Sequence, residues 1–400
     1  MTESSNLRVL HLTTSFPLYP SSTSGIFILR LIRHMPPEIV STVVTPDDRG
    51  NNERGEFENV RVHTFGYAPH RLQVLAHGSG GLPVALATSK FAIILIPSFF
   101  FCMFWHTMKY ALKSDVIHAH WAINGVVAGM VGVLTRTPVI TTLRGEDVSR
   151  ASTSLPHRLV LRSCLALSRA VVTVSTAMAE SICQRYGKKE AEVRCIANGV
   201  SERLLSLVPH HRDGEVRILV LGNLVPVKGV DLLIKALARS TMDRSWHLII
   251  AGTGSEQNNL EKLAQKSGLS DRITFAGRVP PEEVIDLLAI TDILVQASYR
   301  EGRPNSVVEA MAAAIPVIGS DIDGISELIE HGRNGLLFPV GDIKTLAEHL
   351  QLLVASPEKR LQLGRSARQT LKRKGVSWKI CARTYARLYR QTVGFNRGLS

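Results

Sequence analysis

Residues 298–329 read SYREGRPNSVVEAMAAAIPVIGSDIDGISELI, and this stretch carries the most pointed chemistry in the chain. Glu301 and Glu309 flank a turn formed by Arg303-Pro304-Asn305-Ser306. The pattern predicts a helix over Val307 to Ala314 and a strand over Ile315 to Gly319. A helix N-terminus offers free backbone N–H groups and the positive end of a dipole, which suits a phosphate. One carboxylate before that point and another one turn inside it can grip hydroxyl groups on both sides of a diphosphate. That is chemistry for holding a sugar nucleotide. Ser306 and Glu309 also fit a capping box, so a purely structural Glu309 stands as the second reading. Glu301 lies in a Gly/Pro loop where nothing local calls for a carboxylate.

Other residues suit the same chemistry. Lys228, in GNLVPVKGVDLL, precedes a predicted helix, where an ammonium and helix N–H groups can meet a diphosphate together. Gly252 and Gly254, in AGTGSEQ, follow a strand and precede a helix, too short a run for a dinucleotide fingerprint. His118 and His120, in DVIHAHW, share one face of a strand end. No third ligand accompanies them in the sequence, so the expected metal content is none, and a backbone-bonded histidine is the alternative. Gly25, in SSTSGIF, falls at a helix start. Arg144, in TLRGED, could take an acidic or phosphate-bearing acceptor in a two-pronged grip; an ion pair with Glu146 or Asp147 is the alternative.

These residues need a scaffold. Short apolar runs alternate with amphipathic helical runs: Arg8–Leu12, Val40–Val44, Val116–Ala119, Val139–Thr142 and Val171–Val174, then Val216–Leu221, His247–Ala251, Ile273–Ala276, Ile293–Gln296 and Val317–Gly319. Such alternation predicts parallel sheets with helices on both faces. The scheme restarts at Arg217–Leu221, so two Rossmann-like domains follow, with ligands at the carboxyl ends of strands. The chain's 400 residues suit two domains of about 200 each. The boundary is expected in the polar stretch 209–215.

Composition narrows the class. A hydrophobic share of 45% and a charged share of 20% describe a globular chain. The start, MTESSNLRVLHLTT, reads as polar and then as a strand, so no secretory leader is expected. Five scattered cysteines argue for reduced thiols in a cytoplasmic setting and against a zinc site. The net charge of +13 is concentrated between Lys359 and Arg397, which holds twelve Lys/Arg and no acid. That weakens a nucleic-acid reading, which wants a basic patch on a binding fold. It suits either a solvated helix or the anionic inner face of a membrane. Phe91–Trp105 is the most apolar run, shorter than the ~20 residues of a spanning helix and interrupted by Pro97. It reads as a buried helix or as a patch lying in the membrane plane.

The segment EGRPNSVVEAMAAAIPVIGSDIDGISELI resembles the donor-site signature of the retaining family 4 glycosyltransferases, which have the GT-B fold. That signature has two glutamates with seven residues between them, a small-residue helix, a Pro-Val strand, and a glycine loop ahead of a further Glu. The likeness extends over nearly the whole chain. It implies two Rossmann-like domains facing a cleft: an acceptor domain over 1–208, a nucleotide-sugar donor domain over 209–376, and a helix over 377–400 returning to the first domain. VSWKICARTYARLYR resembles that last helix, with Lys379, Arg383, Arg387 and Arg390 on one stripe and Cys381, Tyr385 and Leu388 on the apolar one.

The resemblance also implies roles. Glu301 and His120 would lie at the reacting sugar. Lys228, Asn223, Gly254, Arg303, Asn305, Ser306, Val307 and Glu309 would hold the donor, and Gly25 and Arg144 would lie on the acceptor side. The family usually has Arg where this chain has Asn223, which carries no charge, and many relatives have His where it has Arg144. The implied activity is a retaining, metal-independent transfer from a UDP- or GDP-sugar to a glycan or lipid-linked acceptor. It needs no cofactor, and it would run in the cytoplasm or at the inner face of the membrane. A nucleotide-sugar epimerase and a non-catalytic glycan-assembly scaffold are the rival readings.

Overall fold

The alternation of strand and helix is realised twice. In the computed structural model, residues 6–19, 22, 24–48, 57, 60–76, 90–208, 214–242 and 245–397 are described. The chain divides into two compact units, Met1–Gly199 with Trp378–Ser400, and Val200–Ser377.

The first unit is built on a parallel sheet of β1 (Leu7–Leu12), β2 (Ile39–Pro46), β3 (Arg61–Phe65), β4 (Val116–His120), β5 (Val139–Thr142), β6 (Ala170–Thr173) and β7 (Val193–Cys195). Their order is β3-β2-β1-β4-β5-β6-β7. The second unit has β8 (Val216–Leu221), β9 (Trp246–Ala251), β10 (Ile273–Gly277), β11 (Ile293–Gln296), β12 (Val317–Ser320) and β13 (Leu336–Phe338), in the order β10-β9-β8-β11-β12-β13. Each sheet runs outward from its first strand in both directions. The reversals fall between β1 and β4 and between β8 and β11, where open α/β sheets place their ligands.

Helices cover both faces because the central strands are mostly apolar on both sides. In the second unit, Ile218, Leu248 and Val295 pack against Leu233 and Leu350. On the other face, Leu219, Leu294 and Val317 pack against Val307, Met311 and Leu371. In the first unit the helix Trp378–Arg397 lays Cys381, Tyr385 and Tyr389 against Val9, Val116 and Ile140. Its Lys379, Arg383, Arg387 and Arg390 stay exposed.

Four expectations change. The second unit begins at Val200, ahead of residue 209, because Val200 and Leu204 pack into its core with Val308 and Ile325. Residues 209–213 of the expected boundary lie outside the described residues. The donor-site helix spans Asn305–Ala312, two residues earlier than predicted, because Pro304 has the extended φ −71°, ψ 121° of an N-cap. The basic run is no single tail: it divides between the helix Pro357–Arg373 of the second unit and the helix Trp378–Arg397 of the first. Several of its cations are committed to structure. Arg360 is buried and donates to the Leu353 and Val354 carbonyls at 2.6 and 3.1 Å, Arg368 Nε donates to the Ala312 carbonyl at 2.7 Å, and Arg390 pairs with Glu38.

The apolar run is also longer than expected. A short helix, Lys90–Ile94, turns at Leu95 into the helix Ile96–Ala111. Pro97 falls in the first turn of that second helix, where its missing N–H costs nothing. Ala92–Ala111 is thus 20 residues with a mean hydropathy of 1.4, long and apolar enough to cross a membrane by length and composition. Phe99, Met103, Thr107 and Ala111 form its buried stripe, while Phe101, Trp105 and Leu112 are 68%, 62% and 70% exposed.

Candidate active site

In the second unit the predicted donor residues converge at the carboxyl ends of β8 and β11. A turn, Pro226–Lys228, follows β8 and leads through Gly229 into the helix Val230–Arg239. Lys228 Nζ lies 2.6 Å from Glu301 Oε1. The same oxygen accepts from Ser298 Oγ at 2.8 Å and from Gln296 Nε2 at 2.9 Å. Gln296 Oε1 in turn accepts from Ser306 Oγ at 2.8 Å, inside the donor-site helix. One chain of hydrogen bonds therefore joins the β8 turn, the end of β11 and the first turn of Asn305–Ala312. Asn223, Lys228 and Gln296 line an adjoining shallow pocket.

The capping-box reading of Ser306 and Glu309 does not hold. Ser306 is already inside the helix, and its hydroxyl is bonded to Gln296. Pro304 at the N-cap offers no side-chain oxygen, so the N-cap residue makes no side-chain cap to this helix. Its first N–H groups and its dipole stay directed at the loop, the arrangement that receives an anion. Arg303 is partly exposed and Asn305 fully so at this end, while Val307 is buried in the core.

Gly254 explains the short glycine turn after β9. A Cβ there would lie 2.1 Å from the Leu224 carbonyl oxygen, so only glycine lets the β9 loop close on the β8 loop. The Glu256 N–H then reaches the Leu224 carbonyl at 3.0 Å.

In the first unit, β1 and β4 pair with His11 beside His118, and β4 pairs with β5 with His120 beside Thr142. The three imidazoles are fully buried together. His11 Nδ1 lies 3.4 Å from His120 Nε2. His118 is bonded at both nitrogens, to Tyr389 Oη at 2.7 Å and to Thr142 Oγ1 at 2.7 Å, and Thr142 Oγ1 meets Tyr385 Oη at 2.9 Å. Desolvation holds all three histidines neutral: it draws His11 down to about 3 and His118 and His120 well below their ordinary value.

Sequence reading missed His11, and the absence of a third ligand is thereby overturned. The donor atoms of His11, His118 and His120 all lie within 4.8 Å of one another, the one such group among the described residues. A cation there would have to take His118 away from one of its hydroxyl partners. The signal in the sequence was a histidine near the carboxyl end of the β1 run, which only the strand register connects to β4.

Beyond the histidines the chain turns sharply. Trp121 holds φ 72°, which is strained for a bulky residue, and its indole packs edge-on to Phe27 with centroids 5.8 Å apart. Gly25 starts the helix Ile26–Arg33 at φ 64°, and a Cβ there would lie 2.0 Å from the Ser15 carbonyl oxygen. Arg144 stands at the end of β5 with its guanidinium carbon 3.9 Å from the Phe27 ring centre. Its Nη1 donates to Asn198 Oδ1 at 3.0 Å. The alternative, a direct ion pair of the guanidinium with Glu146 or Asp147, does not form. Asp147 instead accepts from the Arg144 backbone N–H at 2.7 Å and the Ala122 N–H at 3.0 Å, tying two helix starts together. Glu146 faces Arg150 at 3.6 Å. Burial raises the Asp147 pKa to about 6.

With both sheet ends in view, comparison with known proteins becomes decisive. The model of "Glycosyl transferases group 1" matches residues 207–370, and that of "Glycosyltransferase Family 4" matches residues 24–203. The chain belongs to the group 1 glycosyltransferases. Among curated relatives, the N-acetyl-alpha-D-glucosaminyl L-malate synthase of Bacillus anthracis is 26% identical over 69% of this chain and 74% of the relative. Among solved structures, sucrose-phosphate synthase from Thermosynechococcus elongatus superposes with a TM-score of 0.77 at 21% identity, over 96% of this chain and 98% of the other. Alr3699/HepE from Anabaena, solved with UDP-glucose, gives 0.73 at 19% identity, over 96% of this chain and all of the other. The fold of this glycosyltransferase is therefore GT-B, two Rossmann-like domains on parallel sheets.

Proposed function

We propose that this glycosyltransferase moves a hexosyl unit from a nucleoside diphosphate sugar, UDP- or GDP-linked, to a glycan or lipid-linked acceptor in polysaccharide or glycolipid synthesis. The observation that carries the proposal is Lys228 Nζ held 2.6 Å from Glu301, next to a helix N-terminus whose N-cap residue makes no side-chain cap. Lys228 and the helix N–H groups take the diphosphate, with Asn223, Gly254, Arg303, Asn305, Ser306 and Val307 shaping the donor loops. Glu301 takes sugar hydroxyls and Glu309 the ribose. The relative solved with UDP-glucose supports a uridine donor.

The transfer retains anomeric configuration and runs without metal or cofactor. The bond from the anomeric carbon to the phosphate oxygen breaks and a bond to the acceptor oxygen forms on the same face. The acceptor proton passes to the departing diphosphate. Lys228 and the helix dipole neutralise the charge that develops on that diphosphate, a task metals perform elsewhere. His120 serves the sugar side as a neutral hydrogen-bonding group, and Gly25 and Arg144 lie on the acceptor side. The exposed Phe101–Trp105 face gives a peripheral contact with the cytoplasmic leaflet.

Calorimetric titration with UDP, UDP-glucose and GDP tests the donor. Saturable binding of one nucleotide, with transfer or slow hydrolysis of its sugar in the presence of EDTA, supports the proposal. No binding of any of the three overturns it, and activity abolished by EDTA and restored by Mg²⁺ or Mn²⁺ overturns the metal-free part. NMR of the first product reads the anomeric outcome.

A further inference from the structure

Arg144 is held as a receptor is held: Asp147 is near enough to favour its charge, but no carboxylate forms a direct ion pair with its guanidinium. One face of its guanidinium lies on the Phe27 ring at 3.9 Å, which fixes the plane. One edge is tethered at Nη1 to the neutral amide oxygen of Asn198 at 3.0 Å. Its Nε is sealed from solvent and has no hydrogen-bond partner. Asp147 accepts from the backbone N–H groups of Arg144 itself and of Ala122, not from the guanidinium, and Glu146 faces Arg150. Arg144 as a whole keeps part of its surface open. A guanidinium carries five donors in a planar fork that matches a carboxylate or phosphate.

The position adds a second constraint. Arg144 follows β5 by two residues and caps the next helix; β5 is the neighbour of β4, whose end carries His120 and the strained Trp121. The charge of Arg144 is close enough to His120 to depress its protonation further. A group bound at Arg144 therefore sits next to the place assigned to the reacting sugar.

Resting on the acceptor-side reading of this unit, we infer that the acceptor bears an oxyanion, a carboxylate or a phosphate, close to its attacking hydroxyl, and that Arg144 binds that oxyanion. The anion fixes which hydroxyl faces the anomeric carbon, so Arg144 determines acceptor class and regiochemistry. The oxyanion can belong to a small soluble acceptor or to a lipid headgroup; the recognising chemistry is the same.

The test uses the full chain without donor, at ionic strength held constant with chloride. Inorganic phosphate and malonate are titrated by calorimetry or ligand-observed NMR, alongside UDP as a control. The parent should bind at least one of the two anions in the millimolar range. Arg144→Gln should weaken that binding tenfold or more and leave UDP affinity and melting temperature unchanged. Arg144→Lys should recover part of it as a point charge. Vesicles of phosphatidylcholine with phosphatidic acid identify the source: retention on them that depends on Arg144 assigns a lipid-borne phosphate, and Arg144-dependent binding of the free anions alone assigns a soluble acceptor. The inference is overturned if the parent binds neither anion nor vesicle phosphate, or if Arg144→Gln binds them as the parent does. Loss of UDP binding with anion binding intact overturns the donor proposal instead, so the two failures are distinct.

Discussion

Glu301 accepts three hydrogen bonds on one oxygen, and one of the donors is Lys228. A diphosphate that recruits Lys228 leaves Glu301 with Ser298 and Gln296, so the carboxylate is free to turn to a sugar hydroxyl without losing its anchor. Lys228→Ala should weaken UDP binding tenfold or more in calorimetry, because a charge-assisted hydrogen bond is worth about 1.5–3 kcal/mol. Glu301→Gln keeps a carbonyl oxygen for Ser298 and Gln296. It should therefore spare UDP binding while cutting turnover. Equal loss of UDP affinity in both variants would refute this division of labour. The buried histidines predict a pH dependence. Their folded pKa values lie below the ordinary 6.5, so the unfolded chain binds more protons as pH drops. Their contribution to stability is complete above pH 6.5 and is lost progressively as pH falls below it, by up to about 1.4 kcal/mol per pH unit for each imidazole that stays neutral in the folded chain. Asp147, raised to about 6, acts in the opposite sense below that pH, but it is one group against three. Denaturant unfolding should show lower stability at pH 5.5 than at 7.5; equal stability would mean the trio is already charged when folded. Lys228 and Glu301 were legible because each stands out within its own short motif. His11 was not, because its meaning depends on a partner 109 residues away.

The helix Asn305–Ala312 decides between two uses of Glu309. Its start at Pro304 removes the capping box, so Glu309→Gln should weaken UDP binding and leave the melting temperature unchanged. A drop of several degrees with UDP affinity intact would restore a structural role for Glu309. Proline explains the displaced boundary: periodicity locates a helix interior, but the backbone of one residue sets its first turn. The strands β5, β8 and β11 were legible to the residue, because each is an apolar run bounded by polar or turn residues. The strands β3, β7 and β13 were not. The last two have three residues each, too few for any period to register, and β3 carries Arg61 and His63 at the sheet edge. Gln296 and Ser298 were overlooked for a related reason. Their polarity at the end of β11 reads as the strand simply stopping, whereas it is the socket into which Glu301 fits.

Across the whole molecule, two parallel sheets followed from the rhythm of the sequence, while the distribution of charge did not. Net charge placed a basic tail at the C-terminus, but those cations belong to two helices in two units, and Arg360 lies in a core. The proposed membrane contact therefore rests more on the helix Ile96–Ala111, with Phe101 and Trp105 exposed beside Lys109. The chain should co-sediment with anionic vesicles at low salt and release only in part at high salt, since insertion of aromatic side chains is not screened. Trp105→Ser should abolish the salt-resistant fraction. A chain that stays in the supernatant with anionic vesicles at low salt would end the membrane proposal. The helix Trp378–Arg397 completes the first unit from the far end of the chain, so the whole second unit is strung between two parts of the first. Emerging from the ribosome, the first sheet waits through some 180 further residues for the side chains that cover Val9, Val116 and Ile140 and that bond His118 and Thr142. Order of synthesis and order of completion are thus reversed: the later unit can close first, and the earlier one stays open to chaperones and proteases until Tyr389 arrives.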